Sequence, residues 1–150
     1  MKRLDLFKSI PKPVCSACGN ADISPAAEYC IICGASFIIK HKKGVKIIEY
    51  PSPKADARQR AVLCVICINE EFTENAEFCR ICGLPLYNRC VYDLAIARCG
   101  HANPLNARHC ELCGSQTKYS TMDLFRMWTD ERDEYITEKT QKKGRGKNGL

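Results

Sequence analysis

Residues 15–34 decide the fold, and they read CSACGNADISPAAEYCIICG. Two Cys-x2-Cys pairs stand in this stretch, with eleven residues between them. A tight turn that carries two thiolates supplies half of a tetrahedral donor set, and a second such turn completes the set around a metal ion at about 2.3 Å per sulfur. The stretch therefore predicts one four-cysteine site, formed by Cys15, Cys18, Cys30 and Cys33.

The same plan recurs without a gap at residues 64–83, which read CVICINEEFTENAEFCRICG. In both copies an Ala, an acid and an aromatic residue precede the third cysteine, and Gly34 or Gly83 follows the fourth, where the turn commonly needs a positive φ. Ile68 replaces the glycine that ends the first turn of the earlier copy, so strain or a different turn is expected there. The repeat predicts a second site, formed by Cys64, Cys67, Cys79 and Cys82.

A third copy begins later and is less regular. Residues 107–114 repeat the second half of the plan, and Cys99 ends a first turn. The usual partner of Cys99 is missing, because Ile96 stands three positions before it and cannot bind a metal. The fourth ligand must therefore come from elsewhere in the chain.

Three residues compete for that fourth position. Cys90 is the one cysteine left unassigned, and it would form a turn with eight intervening residues. His101 and His109 are alternatives, since imidazole is a normal zinc ligand. However, His109 occupies the aromatic position of the repeat, which favours a packing role, and His101 follows a turn, which favours a place facing solvent. The preferred third set is Cys90, Cys99, Cys110 and Cys113.

Composition supports metal rather than a large apolar core. The 150 residues include 12 Cys but one Trp and five Phe, and small modules usually need disulfides or metal to fold. Residues 1–13 lack the apolar stretch of a secretion signal, so a reducing, cytoplasmic location is expected, where disulfides are rare. No apolar run is long enough to span a membrane. We therefore expect three Zn²⁺ ions, with iron or an iron–sulfur cluster as the alternative.

These turns carry a resemblance to known families. The Cys-x2-Cys-Gly turns and the Ala-x-aromatic-Cys-x2-Cys-Gly endings resemble zinc ribbons and double zinc ribbons over residues 15–40 and 64–117. The resemblance implies structural four-cysteine zinc sites in modules that occur in adaptors, nucleic-acid-binding proteins and appendages of larger enzymes. Cys99-x3-Asn103-x6-Cys110-x2-Cys113 is also similar to the later part of the nuclear-pore type of zinc finger, a family that binds single-stranded RNA or ubiquitin. The chain lacks the Trp and the close first cysteine of that finger.

The predicted fold is small, metal-bound and mostly β, with three zinc-ribbon modules and a C-terminal amphipathic α-helix. Module one carries a β-hairpin and a long tether follows it, so we expect it to fold independently, whereas the close spacing of modules two and three predicts that they pack as a pair. The predicted boundaries are an N-terminal arm at 1–13, module one at 14–50, a linker at 51–62, module two at 63–87, module three at 88–118, a helix at 120–138 and a basic disordered tail at 139–150.

The predicted helix has two possible roles. Ser120-x2-Asp123 resembles a capping box, and an apolar stripe follows it on one helical face. The stripe could pack on module three, or it could bind a partner with the chain's single Trp. The candidate partner-binding residues are Phe125, Trp128, Tyr135, Lys142, Lys143, Arg145 and Lys147.

Charge is unevenly distributed. The formal charge of +6 counts the cysteines as neutral, and twelve thiolates with three zinc ions would bring it near zero. Basic segments at 40–60 and 139–150 flank an acidic region at 61–138. Such segments attract phosphate backbones through counterion release, and they are equally typical of solvated linkers and termini.

These observations favour a non-catalytic adaptor that presents its modules and terminal helix to a protein partner or a larger assembly. The alternative is a nucleic-acid-binding or ribosome-associated factor that uses the basic linker and tail. An enzyme is not expected, because a catalytic zinc keeps an open position and these sites are filled by thiolates. No small-molecule substrate and no membrane partner are expected, and redox or zinc sensing remains a further alternative.

Overall fold

The computed structural model describes residues 13–37, 45–91, 93–94 and 97–146. Its regular elements are short apart from the last helix, and most of the described backbone forms turns around the cysteines. This agrees with the small metal-binding fold that the sequence predicts, but the predicted mostly-β character is wrong for the described residues. Their named strands have two residues each, whereas the last helix has 18. The elements are β1 Asn88–Arg89, β2 Asp93–Leu94, β3 Ala97–Arg98, β4 Ala102–Asn103, α1 Lys118–Thr121 and α2 Trp128–Arg145.

The repeated sequence produces a repeated backbone turn. In the second turn of module one, the amide of Gly34 donates to the carbonyl of Cys30 at 2.9 Å, and the amide of Cys30 donates to the carbonyl of Ala35 at 2.8 Å. The same two hydrogen bonds close the turns that begin at Cys15, Cys64, Cys79 and Cys110. One local plan therefore builds each regular Cys-x2-Cys turn.

Module two contains the predicted strained turn. Ile68 has φ of 64°, and its amide still donates to the carbonyl of Cys64 at 3.0 Å. The turn is thus kept, although a β-branched residue in the left-handed region is strained, at a cost on the order of 1–3 kcal/mol.

Module three replaces its first turn with a β-hairpin. Strand β1 pairs antiparallel with β4, and β2 pairs antiparallel with β3 farther along the same loop. The amide of Cys90 donates to the carbonyl of His101 at 2.9 Å, which fixes Cys90 at the base of this hairpin. The eight intervening residues are therefore accommodated without separating Cys90 from Cys99.

Modules one and three pack directly against each other, although module two lies between them in the sequence. The amides of Glu28 and Tyr29 donate to the carbonyl of Glu111 at 2.8 and 3.0 Å. Reciprocally, the amides of Arg108 and His109 donate to the carbonyl of Ile31 at 2.7 and 3.0 Å. Ala107 of module three also belongs to the apolar core of module one. The predicted independence of module one is therefore wrong.

Aromatic rings complete this reciprocal interface. The ring of His109 lies over Gly34, so close that a Cβ at Gly34 would meet the ring at 2.9 Å. The ring of Tyr29 lies over Gly114 in the same way, also at 2.9 Å. Each module thus contributes the same ring position and the same glycine position, which is the pattern of a two-fold interface in which two like surfaces meet.

Module two packs against the other side of module three. Leu84 and Leu86 share a buried cluster with Leu105 and Tyr119. The Tyr119 hydroxyl donates to the carbonyl of Pro85 at 2.7 Å, so this buried ring also has its polar atom satisfied. Module three therefore packs on both module one and module two.

Residues 51–62 form an ordered connection rather than a loose linker. Asp56 accepts hydrogen bonds from the amides of Arg58 and Arg60, at 2.8 and 3.0 Å. The Arg60 guanidinium donates to the carbonyls of Thr73 and Glu74 in module two, both at 2.9 Å. The prediction that this segment is a tether that leaves the modules uncoupled is therefore wrong, because its charged side chains bind the backbone of module two.

The predicted helix at 120–138 is two helices in the structure. Thr117, not Ser120, caps α1, and its hydroxyl accepts the amide of Ser120 at 3.4 Å. Asp123, with φ of 53°, then ends the helical path, and Leu124 and Phe125 pack into the cluster of module two. Helix α2 begins only at Trp128, so the predicted start of the long helix is wrong.

The C-terminal boundary also differs from the prediction. Helix α2 continues to Arg145, through much of the segment predicted as a disordered tail. Asp130 and Glu131 lie in its first turn, and basic residues lie in its last turn, which is the arrangement that the helix dipole favours. The charges that suggested a solvated tail therefore stabilise a helix end.

Some predictions concern residues outside the described ranges. These are the N-terminal arm apart from its last residue, the tip of the module-one hairpin, and Lys147. Of the predicted hairpin, residue 37 and the second strand at 45–50 are described. The amide of Ile48 donates to the carbonyl of Gly19, and the Tyr50 hydroxyl donates to the carbonyl of Cys18 at 2.7 Å. This segment therefore covers the first turn of module one. Among the described residues, neither helix combines the length and apolar character needed to cross a bilayer.

Candidate metal centres

The structure brings the twelve cysteines together in three groups of four. Within each group all four sulfur atoms lie within 4.8 Å of one another. The two turns of each module are placed so that cysteines from opposite turns meet, with Sγ–Sγ distances of 3.3–3.6 Å. The groups are Cys15, Cys18, Cys30 and Cys33; Cys64, Cys67, Cys79 and Cys82; and Cys90, Cys99, Cys110 and Cys113.

These distances fit a metal ion better than disulfides. A disulfide needs about 2.05 Å between sulfurs, and each of the twelve cysteines is free. A tetrahedron with about 2.3 Å from metal to sulfur has edges of about 3.8 Å, which is close to the separations observed. Each group could therefore hold one metal ion, with a donor set made entirely of thiolates.

Backbone amides of the turns favour the thiolate form. The amide of Cys82 donates to the sulfur of Cys79, and with a second amide it lowers the pKa of Cys79 to about 6. Burial raises the pKa of Cys113, but hydrogen bonds from Ser115, together with those to Cys90 and Cys99, outweigh it and leave the pKa at about 7. Thiolate is the form that binds metal, so the turns prepare these sulfurs for a cation.

Within a group, the remaining protons are shared between sulfurs. The hydrogen bond with Cys15 is the largest cause that raises the pKa of Cys18, while the same pairing lowers the pKa of Cys15. Four clustered thiols cannot all ionise without a counter-charge. A divalent cation supplies that charge, and its binding releases the shared protons.

The third group contains Cys90 rather than a histidine. The sulfur of Cys90 lies 3.3 Å from that of Cys113. His101 is turned to Glu111, with Nε2 at 2.7 Å from a carboxylate oxygen. His109 packs on Gly34, and burial lowers its pKa, so its ring acts as the aromatic residue that the repeat places there. The geometry therefore favours the all-cysteine set over either alternative.

Two asparagines near the sulfurs were not among the predicted site residues. Asn20 directs its amide nitrogen at the sulfur of Cys30 at 3.9 Å, and Asn69 does the same to Cys79 at 3.7 Å. Each also accepts an amide two residues further on through its side-chain oxygen. The signal was present in the sequence, because Asn20 and Asn69 align in the repeat.

Buried polar side chains hold module three in shape. Asn88 is fully buried, donates to the carbonyl of Ala107 at 2.8 Å and accepts the amide of Tyr119 at 2.9 Å. Asn103, also fully buried, accepts the amide of Glu111 at 3.0 Å. These bonds fix the strands that carry Cys90 to the turn that carries Cys110 and Cys113, and periodicity alone does not reveal them.

The candidate partner-binding residues divide into two sets. The aromatic residues are partly buried against the chain itself: Phe125 packs on the cluster of module two, and Trp128 and Tyr135 pack on the core of module one. By contrast, Lys142, Lys143 and Arg145 are exposed on α2. The apolar stripe of the helix thus covers the seam between modules, and the basic residues face outward.

The helix is fastened to this seam by an ion pair. The guanidinium of Arg108 donates to the Glu131 carboxylate at 2.7 Å, and both side chains are largely buried. The same guanidinium donates to the carbonyl of Arg126 and lies 4.7 Å from the centre of the Phe125 ring. Arg108 therefore joins module three to the start of α2.

Comparison with known proteins adds no family. No protein-family model matches this sequence, and neither the curated proteins nor the solved structures contain a significant match. The class that the site itself defines is a small protein with three four-cysteine groups, each of which could hold a metal ion.

Proposed function

We propose that this chain is a non-catalytic zinc-binding adaptor of the zinc-ribbon type, in which three structural zinc ions hold a three-module body that binds a protein partner. One observation carries the proposal: each group consists of four convergent cysteine sulfurs. Structural zinc sites are closed by four protein ligands, whereas catalytic sites keep one position for water or substrate. Zinc is preferred over iron because it is redox-inert and commonly occupies four-thiolate sites.

A groove beside α2 supports binding of a protein partner. It has a volume of about 610 Å³ and lies between residues 49–53, module two and the helix. Tyr119, Leu124 and Phe125 line its floor. Its lining carries four acidic side chains and Arg126. Glu131 and Glu134 are already paired with Arg108 and Arg126, so the remaining two acids favour a partner segment with apolar residues flanked by basic ones. The acidic residues are Glu49, Glu131, Glu134 and Glu138.

Metal content tests the first half of the proposal. Native mass spectrometry of the chain purified without added metal should give three zinc ions per molecule. Bound iron, or a persistent count of two, would contradict it.

A matched pair of charge reversals tests the second half. Glu138→Lys changes the groove rim, and Glu70→Lys places the same change on an exposed position of module two that does not line the groove. The zinc-loaded chain is used to capture proteins from a nuclease-treated extract. The amount captured should fall several-fold with Glu138→Lys and stay unchanged with Glu70→Lys. Capture that is absent, or equal for the two variants, would contradict the groove as the docking site.

The arrangement of lysines on α2 favours a second candidate function. Lys139, Lys142 and Lys143 are spaced three and four residues apart, so they lie on one side of the helix, and all three are exposed. Such a row could contact the phosphates of a nucleic acid. Lys142→Gln/Lys143→Gln should then weaken RNA or DNA binding and flatten its salt dependence by about 0.9 per lost phosphate contact on duplex DNA. If the intact chain binds neither nucleic acid at about 50 mM salt, this candidate is wrong.

A further inference from the structure

The second turn of module two carries the same surface that joins modules one and three. In that interface, the two residues that precede the third cysteine of one module donate their amides to a carbonyl of the other module. That carbonyl belongs to the residue that follows the other module's third cysteine, which is Glu111 in module three and Ile31 in module one. The aromatic ring before the third cysteine covers the glycine after the fourth. Module two has each of these groups. They belong to Glu77, Phe78, Arg80 and Gly83, and we call residues 77–83 the pairing face.

The pairing face of module two is open. Phe78 is 59% exposed and Ile81 is 67% exposed, whereas the equivalent Ile32 of module one is fully buried. No atom of the described chain lies within 4 Å of a Cβ placed on Gly83. Within the described ranges, the amides of Glu77 and Phe78 have no hydrogen-bond acceptor, and the carbonyl of Arg80 has no donor.

We propose that the pairing face of module two binds the same face of a second copy of this chain, in the two-fold arrangement that joins modules one and three. The chain has three copies of this surface, one in each module, and the surface binds another copy of itself. Modules one and three satisfy each other, which leaves one copy without a partner in the monomer. A second chain supplies the missing surface, and an isologous contact closes at two chains.

Both halves of the interface are present in module two itself. In a two-fold pair, the Phe78 ring of each copy covers Gly83 of the other, and each pair of amides meets the carbonyl of Arg80 across the axis. Gly83 has φ of 75°, nearly the value at Gly34 and Gly114, so its backbone already has the conformation used in the internal interface. Little rearrangement is needed for pairing.

Charge favours a second copy over an unrelated partner. In the interface between modules one and three, Glu28 lies beside Glu111, as the hydrogen bond from its amide shows. Glu28 stands two positions before the third cysteine of its module, and Glu111 stands one position after the third cysteine of the other module. In module two these positions hold Glu77 and Arg80, which have opposite charges and, in one chain, form exposed ion pairs with Arg89 and Glu71 that can exchange partners. A two-fold pair therefore places an acidic residue of each chain beside a basic residue of the other, twice.

Sedimentation velocity on the full-length zinc-loaded chain tests the proposal. Across a concentration series, the mass should rise from the monomer value of 16.9 kDa toward twice that value. Phe78→Ser and Gly83→Asn should each abolish the rise, the second because asparagine tolerates a positive φ but its side chain fills the space for the ring. Met127→Ser removes a similarly exposed apolar side chain outside module two and should leave the rise unchanged.

Two further measurements distinguish loss of pairing from loss of folding: the zinc content of each variant, and the effect of exchanging the two charges. Each variant should retain three zinc ions, which shows that module two still folds. Arg80→Glu should weaken the dimer at least several-fold, and the double exchange Glu77→Arg/Arg80→Glu should restore it. A chain that stays monomeric at every concentration, or a dimer that Phe78→Ser and Gly83→Asn leave intact, would overturn the proposal.

Discussion

Modules one and two share one plan of turns, yet their second turns lie in opposite environments. Ile32 of module one is fully buried, and Ile81 at the same position of module two is 67% exposed. Tyr29 lies on Gly114 of module three, whereas Phe78 has no such neighbour among the described residues. The cysteines therefore determine the shape of the turn. The surrounding chain determines whether the side chains on that turn are buried in the core or exposed at the surface.

The position before the aromatic residue shows the same contrast between modules three and two. Arg108 of module three pairs with Glu131 at 2.7 Å, with side-chain exposures of 8% and 13%. Glu77 of module two pairs with Arg89 at 3.4 Å, with exposures of 59% and 44%. A buried charge that loses its partner is costly, and an exposed one is solvated by water. Equivalent positions of the repeat thus make very different contributions to the free energy of unfolding.

Metal removal should give the largest effect and should separate the two regions. Structural zinc contributes on the order of 10 kcal/mol of apparent binding energy per site, far more than such modules hold otherwise. With a gradually added chelator, we expect modules one and three to lose their amide signals together, because backbone hydrogen bonds join them. Module two contacts module three mainly through side-chain packing, so we expect it to lose its signals in a separate step. Heteronuclear NMR spectra give the loss of signals for each module. Three independent steps in these spectra would contradict the coupling of modules one and three.

Single ligand changes should show the same division. Cys30→Ser should lower zinc binding in module one and also destabilise module three, because Tyr29 and Ile31 on either side of this ligand make the bonds to module three. Cys79→Ser should affect mainly module two. Native mass spectrometry gives the zinc count, and amide spectra identify the unfolded module; a Cys30→Ser protein with module three unchanged would refute the expectation.

Arg108→Ala should be the most damaging change outside the cysteines. It leaves the buried Glu131 carboxylate without its partner, so we expect a loss of about 3–5 kcal/mol in the free energy of unfolding. The matched change Glu77→Ala in module two should cost no more than about 1 kcal/mol, since that pair is exposed. Chelator or urea titrations of both variants provide the comparison, and equal losses would count against the role of Arg108 as a link to α2.

Glycine substitutions should give a smaller and more selective difference. Gly34, Gly83 and Gly114 have φ between 75° and 77°, so replacement by alanine introduces similar backbone strain at each. At Gly34 and Gly114 the new Cβ also meets a ring at 2.9 Å, which should add about 1–3 kcal/mol of overpacking.

The control is Gly83→Ala, which has open space around its Cβ in one chain. Thermal unfolding of the three variants should be compared at a concentration where the chain is monomeric. A Gly83→Ala protein as unstable as the other two would show that strain, rather than contact with the ring, dominates.

The sequence predicted the turns and the donor sets because both depend on local spacing. The eleven-residue interval and the glycines were sufficient for modules one and two, and the one unassigned cysteine indicated Cys90. The choice of neighbours was not predictable in this way. A repeated surface does not specify which two copies meet, and the contact between Glu28 and Glu111 joins distant parts of the chain.

The helix and linker were mispredicted for a related reason. The apolar spacing from Phe125 to Ile136 suggested one continuous helix, but Leu124 and Phe125 turn aside into module two. Arg60 belongs to a polar segment by composition, yet it binds carbonyl oxygens of module two that no pattern in the sequence marks. Tertiary contacts therefore overrode local preference at both places.

The pairing of modules one and three also sets an order of events during synthesis. Module one leaves the ribosome first, but the carbonyl of Glu111 that receives its amides is made roughly 80 residues later. Until then, the ring of Tyr29 and the glycine at position 34 are available to other modules, including those of neighbouring nascent chains. Exchange of modules between chains is therefore the error to which this architecture is most exposed, and slow translation of module three would favour it.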